Sequence, residues 1–192
     1  MTDIAAVVLA AGASQRFGTD NKLLAMLDGK PMLTHVLDRV AALSLSRKIV
    51  VVRRDDGDIA SLIDTEIFDI VENSNAADGM GSSISAGINE CGDVDGAMLT
   101  LGDMPFVQRA TYLELLAAFR EHPDKTIVAP VYKGQRGHPV LFRRRHFAAL
   151  EALGDDTGAK HIIAENEATF LAMPTEDAGV LQDVDTPAHD DW

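Results

Sequence analysis

A chain of 192 residues with 46% apolar and 24% charged side chains suits one soluble domain with a sizeable core. A formal net charge of −13 argues against a nucleic-acid partner, which needs a basic face, and no apolar run approaches the length of a membrane span. The single cysteine, Cys91, excludes an internal disulfide. The opening Met1-Thr2-Asp3-Ile4 lacks the basic n-region of a secretory signal, so a cytoplasmic setting is expected.

In chain order, Ile4 to Ala11 is a near-continuous apolar run, the pattern of a strand buried on both faces. It empties into a loop holding Gly12, Arg16 and Gly18, followed by Lys22. Glycines at such a turn let successive backbone N–H groups converge on an anion. Arg16 offers a planar fork to phosphate oxygens and Lys22 a mobile point charge. The spacing matches neither the P-loop nor Gly-x-Gly-x-x-Gly, so it suggests a different polyphosphate cradle. The alternative is an ordinary strand-to-loop turn with solvated cations.

Pro31 opens a helical pattern through Met32, Leu33, Val36, Leu37 and Val40. Lys48 to Val52 is expected as a buried strand, Asp58 to Ile63 as a short helix and Glu66 to Val71 as a strand. Asn73 to Ser83 is rich in turn formers, with Ser82 or Ser83 expected to cap a helix toward Glu90. Asp95 to Leu101 is a further strand, and a helix follows over 110–120. Thr126 to Val131 and Pro139 to Phe142 are expected to be extended. Two helical stretches near 147–153 and 158–165 precede a last strand, Thr169 to Met173.

Strands alternating with helices imply an α/β fold with a mainly parallel sheet covered on both faces. The sequence shows no repeat, linker or domain boundary, so residues 1–192 are taken as one domain. Ligands of such sheets sit beyond the carboxyl ends of the strands. There stand the loop after the first strand, Asp103 after the 95–101 strand, and the loop before His138.

Asp103 is held on a rigid element at that edge and suits Mg²⁺, which takes a few carboxylates with phosphate oxygens and water. Alternatively it caps the helix after Pro105. Asp183 and Asp185 share one face if extended, and Thr186-Pro187 equally suits a helix start. Gly79, Gly81, Ser82 and Ser83 would let backbone approach a flat ligand, or simply enter a helix. His138 could bind a substrate or order its own turn. Arg143-Arg144-Arg145 is either an acceptor contact or a solvated helix start. No zinc-ligand or hydrolase motif occurs, and Cys91 has no nucleophile signature.

Five segments together carry a family resemblance. They are Leu9-Ala10-Ala11-Gly12-x-Ser14-x-Arg16-x-Gly18 with Lys22; Gly79-Met80-Gly81-Ser82-Ser83 leading to Ala86-Gly87; Leu101-Gly102-Asp103-Met104-Pro105; Arg136-Gly137-His138-Pro139-Val140-Leu141-Phe142; and Asp183-Val184-Asp185-Thr186-Pro187. In this order the chain resembles the nucleotidyltransferases similar to molybdenum cofactor cytidylyltransferase, the MobA-related NTP transferases. It departs from that pattern at Phe17, where methionine is commoner, and in having three residues rather than two between Gly18 and Lys22.

The resemblance implies a single-domain Rossmann-like nucleotidyltransferase fold and Mg²⁺-dependent transfer of CMP from CTP to the terminal phosphate of a molybdenum-pterin cofactor. It implies catalytic roles for Arg16, Lys22 and Asp103, and metal ligation by Asp103 and Asp185. Leu9, Ala10, Ala11, Gly12, Arg16, Lys22, Gly81, Ser82 and Asp103 would contact the nucleotide. Gly137, His138 and Pro139 would face the acceptor. The Leu9-Ala10-Ala11-Gly12 form resembles the cytidylyl branch, where a second glycine marks the guanylyl one. The partners implied are CTP, the pterin cofactor and a molybdoenzyme of the xanthine oxidase type. Two rivals stand beside this reading: the same chemistry on a sugar phosphate or similar acceptor, and a non-catalytic carrier of the finished cofactor.

Overall fold

The computed structural model describes residues 2–12, 21–154 and 158–184. Its strands are β1 (Ile4–Ala10), β2 (Met26–Leu27), β3 (Lys30–Pro31), β4 (Arg47–Arg53), β5 (Asp69–Asn73), β6 (Gly96–Leu101), β7 (Ile127–Tyr132), β8 (Gln135–Arg136), β9 (Val140–Arg143) and β10 (Phe170–Pro174). Its helices are α1 (Met32–Ala41), α2 (Gly57–Ala60), α3 (Met80–Asn89), α4 (Arg109–Glu121), α5 (Phe147–Glu151) and α6 (Lys160–Glu165).

The main sheet runs β10-β7-β9-β6-β1-β4-β5, with β8 paired to β7, and β2 and β3 form a separate hairpin. β1 is parallel to both β4 and β6, β4 to β5, and β7 to β10. β9 runs against the strands on either side of it, and β8 runs against β7. The apolar run of β1 needs cover on both faces and receives it. Ile4, Ala6, Val8 and Ala10 join a core with Leu33, Val36, Tyr112 and Phe119 of α1 and α4. Ala5 and Val7 join a second core with Ile84 and Ile88 of α3 and Leu150 and Ile162 of α5 and α6. Period-two alternation across a doubly covered strand is what the pleat dictates.

The sheet order changes direction at β1: β4 lies on one side and β6 on the other. The crevice beyond the carboxyl ends of β1 and β6 is therefore the switch point at which ligands of such sheets bind. Two close approaches shape it. An added Cβ at Gly87 of α3 would overlap Val7 of β1, so α3 lies unusually tight on the central strand. Gly102 donates its N–H to the Leu9 carbonyl at 3.0 Å, tying the ends of β1 and β6 together.

Two element starts and one hairpin stand out against the sequence expectation. The strand expected over 66–71 begins at Asp69, because Asp64 accepts from the N–H groups of Glu66, Ile67 and Phe68 and holds that stretch in a turn. α3 starts at Met80 rather than after a serine cap, since Gly79 at φ 116° supplies the break that admits the helix. The hairpin of β2 and β3 was not foreseen; two-residue strands leave no periodic signal.

Candidate active site

Lys22 opens a single 3-10 turn after Asn21, whose side chain accepts from the Leu23 N–H at 3.1 Å. Asn21 also donates to Asp56 at 3.1 Å, and Asp56 caps α2. Leu23 is buried in the core beneath. This anchoring turns Lys22 toward the crevice, where its Nζ lies 2.5 Å from Oδ2 of Asp103. Both side chains keep some solvent access, at 16% and 20%, so a ligand can reach them. The extra residue before Lys22 leaves its Nζ within hydrogen-bonding distance of Asp103.

Asp103 is not a helix cap. The N-terminus of α4 is held by Asp177, whose Oδ2 accepts from the Gln108 N–H at 2.8 Å and the Thr111 hydroxyl at 2.6 Å. Oδ1 of Asp177 accepts from the Gly179 N–H at 2.9 Å. Asp177 thus fastens the C-terminal segment against the Asp103 loop, and Val184 donates its N–H to the Asp103 carbonyl at 3.1 Å. The sequence reading passed over Asp177; its signal was an aspartate two residues before a glycine. Replacing it with alanine should cost about 2–3 kcal/mol, through a lost cap and buried donors left unpaired. A fall in Tm of roughly 5–10 °C is the expected result. An unchanged melting curve would remove Asp177 from its anchoring role.

The antiparallel direction of β9 decides the third part of the site. Because it runs against β6, with Leu99 opposite Val140, its start lies at the edge where β6 ends. Gly137-His138-Pro139 is thereby carried to Asp103. Gly137 and His138 are fixed by bonds from their N–H groups to the carbonyls of Pro130 and Val180, each 2.9 Å. A side chain at Gly137 would overlap the Val180 backbone. The His138–Pro139 peptide is cis. Burial pushes the His138 imidazole down to about 4; the Asp103 carboxylate opposes this, and Arg136 and Lys160 add to it. Lys160, at the start of α6, is a site cation that the sequence reading did not mark.

On the far side of β1, Asn73 ends β5 and donates to the hydroxyls of Ser82 and Ser83 at 2.9 and 3.0 Å. The Ser82 hydroxyl is directed at the carbonyls of Asn75 and Gly79. It fixes the loop, so the backbone of Gly81 and Ser82 in the uncapped first turn of α3 remains as the group able to meet a ligand. Asn73 could have been marked by the rule that marked Asp103: a polar residue at a strand's carboxyl end.

Leu9, Ala10 and Ala11 line the end of β1, Ala10 and Ala11 both buried. Gly12 is exposed and an added Cβ there would meet nothing within 4 Å. Its φ is not in the left-handed region. Arg16 and Gly18, and Asp185 with Thr186-Pro187, fall outside the described residues. Asp183 is exposed. Arg143-Arg144-Arg145 does not join the site. Arg143 pairs with Gly96 at the opposite edge of the sheet, and Arg143 and Arg144 donate to backbone carbonyls there. Cys91 is buried in the second core, and desolvation pushes its thiol up to about 12.

A lysine–aspartate pair thus stands at the switch point, with a helix N-terminus on one flank and the Arg136–Pro139 loop on the other. The chain belongs to the MobA-like NTP transferase domain family, whose model matches residues 6–169. It is 33% identical over 170 residues to the bifunctional protein GlmU of Desulfitobacterium hafniense, covering 86% of this chain and 37% of that one. The chain thus spans little more than a third of those curated relatives. It is 28% identical to a molybdenum cofactor guanylyltransferase of Desulfosudis oleivorans, covering 79% of this chain and 71% of the relative. Among solved structures, Rv0371c of Mycobacterium tuberculosis superposes with a TM-score of 0.83 at 26% identity, covering 96% and 94% of the two chains. Among the described residues, no helix is long and apolar enough to cross a membrane, and no three His, Cys, Asp or Glu side chains gather as a metal cluster.

Proposed function

We propose that this nucleotidyltransferase moves CMP from CTP to the terminal phosphate of a molybdenum-pterin cofactor. An acceptor phosphate oxygen attacks the α-phosphorus in line, the bond from α-phosphorus to the bridging oxygen breaks, and pyrophosphate leaves. The observation that carries the reading is the Lys22–Asp103 pair at the β1–β6 crevice, with Gly137-His138-Pro139 delivered beside it.

Lys22, Arg16 and the backbone N–H groups after β1 would hold the charge gathering on the leaving pyrophosphate. Leu9, Ala10, Ala11, Gly12, Gly81 and Ser82 would seat the nucleoside, the last two through their backbone. Gly137, His138 and Pro139 would face the acceptor. Asp103 and Asp185 would hold a divalent cation, Mg²⁺ in this reading, which neutralises substrate phosphates. Among the described residues Asp103 fits that role, its carboxylate being accessible at a rigid strand end. Two carboxylates suffice, because Mg²⁺ fills its remaining positions with water and phosphate oxygens. An ionised phosphate nucleophile needs no general base, so positioning and electrostatics carry the reaction.

Higher identity to proteins not named for the molybdenum cofactor, 33% against 28%, favours a second reading. In it the same transfer is made to another acceptor, such as a sugar phosphate. Acceptor profiling separates the two. With CTP and Mg²⁺, molybdenum-loaded pterin should release pyrophosphate and glucosamine 1-phosphate should not; the reverse pattern would overturn the pterin assignment. The guanylyltransferase relative makes GTP the control for base choice, with the Ala10-Ala11 strand end predicting CTP.

A further inference from the structure

The ladder between β6 and β9 ends at Leu99 and Val140, short of Asp103 on one strand and of Gly137-His138 on the other. Beyond it the two loops are bridged by the C-terminal segment 177–184, which lies past residue 169, where the family model stops. The segment is latched at Asp177, whose carboxylate accepts from the Gln108 N–H, the Thr111 hydroxyl and the Gly179 N–H. It turns through a 3-10 helix, Ala178–Leu181, and Val180 is buried in the first core. The Val180 carbonyl then accepts from the His138 N–H at 2.9 Å, and the Val184 N–H donates to the Asp103 carbonyl at 3.1 Å.

Backbone meets backbone on both sides of this segment. A Cβ at Gly179 would stand 2.3 Å from the Phe106 carbonyl oxygen, and one at Gly137 would stand 2.2 Å from that of Val180. Neither obstacle is the tip of a side chain that could swing aside. Glycine at these two positions lets the main chains approach, so the spacing of the loops is set by close-packed backbone.

We propose that residues 177–184 are a positioning strap that fixes how far the acceptor loop stands from the Asp103 loop. Asp177 is its latch, and Gly137 and Gly179 are its seats. This deepens the transferase reading above and rests on it for which loop meets which substrate. The strap acts through Gly137-His138 and the Asp103 turn rather than on a substrate. In-line transfer needs the acceptor oxygen about 3–3.5 Å from the α-phosphorus, and a misplacement of about 1 Å costs about 10²-fold in rate. A methyl group at Gly137 demands a shift of about that size before ordinary contact with Val180 is restored. In the same reading the nucleotide is seated by β1 and α3, so its binding should be spared.

The first arm of the test needs no turnover. Amide hydrogen exchange is followed by NMR in the full chain and in D177A. Loss of the latch should speed exchange at His138 and Val184 about tenfold or more beyond any rise at the β1 amides, because local release adds to global destabilisation. A uniform rise across the chain, no change, or release of only one of the two amides would overturn the strap. The second arm compares G137A with G96A, whose added methyl would likewise overlap neighbours, Phe119 and Phe142, at the opposite edge of the sheet. Pyrophosphate release is measured with CTP, offering molybdenum-loaded pterin and glucosamine 1-phosphate separately. G137A should lower kcat about 10²-fold with the KM for CTP within about twofold. G96A should lower Tm at least as much and leave kcat within about twofold. Equal losses of kcat in the two variants, or a loss confined to the KM for CTP, would contradict positioning. A native chain that transfers to neither acceptor fails the transferase reading, while the exchange arm still decides the strap.

Discussion

Asp103→Ala is expected to lower nucleotidyl transfer by about 10³-fold or more, the scale of several kcal/mol of lost charge stabilisation at a metal site, with Tm nearly unchanged. The side chain meets Lys22 in a pair that retains solvent access, and such a pair contributes at most about 1 kcal/mol to stability. The structural bonds of this turn are made by backbone: the Gly102 N–H to Leu9 and the Asp103 carbonyl from Val184. Asp177 rather than Asp103 caps α4. Loss of activity without loss of fold therefore isolates the carboxylate's chemistry. Measured by pyrophosphate release and thermal melting together, a variant that turns over normally would remove the metal from Asp103.

Lys22→Ala should reduce kcat by roughly 10²–10³-fold, equivalent to about 2–4 kcal/mol, by analogy with removing one donor from a developing anion. In the structure Lys22 stands against Asp103. In the proposed mechanism Asp103 would hold a divalent cation and the Lys22 ammonium would meet the phosphates, so their pairing would be a resting arrangement. The anchoring through Asn21 and Leu23 fixes the backbone from which the Lys22 side chain reaches the crevice. The loss should fall mainly on kcat, because charge gathers on the leaving pyrophosphate in the transition state. A rate unchanged in steady-state kinetics would mean that the leaving group is met by other donors.

Much of this site was legible because it depends on strand ends. An apolar run that stops at a glycine or an aspartate announces both a buried strand and the residue presented at its edge, as at Gly12 and Asp103. Direction was not legible. Pro139 to Phe142 is extended whichever way it runs, and only the pairing of β9 against β6 and β7 brings His138 to Asp103 rather than to the far edge. The same non-local fact sends Arg143-Arg144-Arg145 away from the crevice. Capping was legible only by residue type. Ser82 and Ser83 suit a cap, yet Gly79 makes the break, and the serines receive Asn73 instead. Asp177 caps a helix 69 residues before it, beyond the reach of local pattern.

The central claim is that the β1–β6 crevice couples a nucleoside triphosphate to a phosphate acceptor. It is tested most directly with α-³²P-labelled CTP, GTP and ATP, offered separately with Mg²⁺ and molybdenum-loaded pterin cofactor. The account predicts label transferred from CTP to the pterin with one pyrophosphate released per product. Nucleotide binding without transfer or pyrophosphate from any of the three, to this acceptor or to glucosamine 1-phosphate, would contradict it and leave a carrier of the finished cofactor.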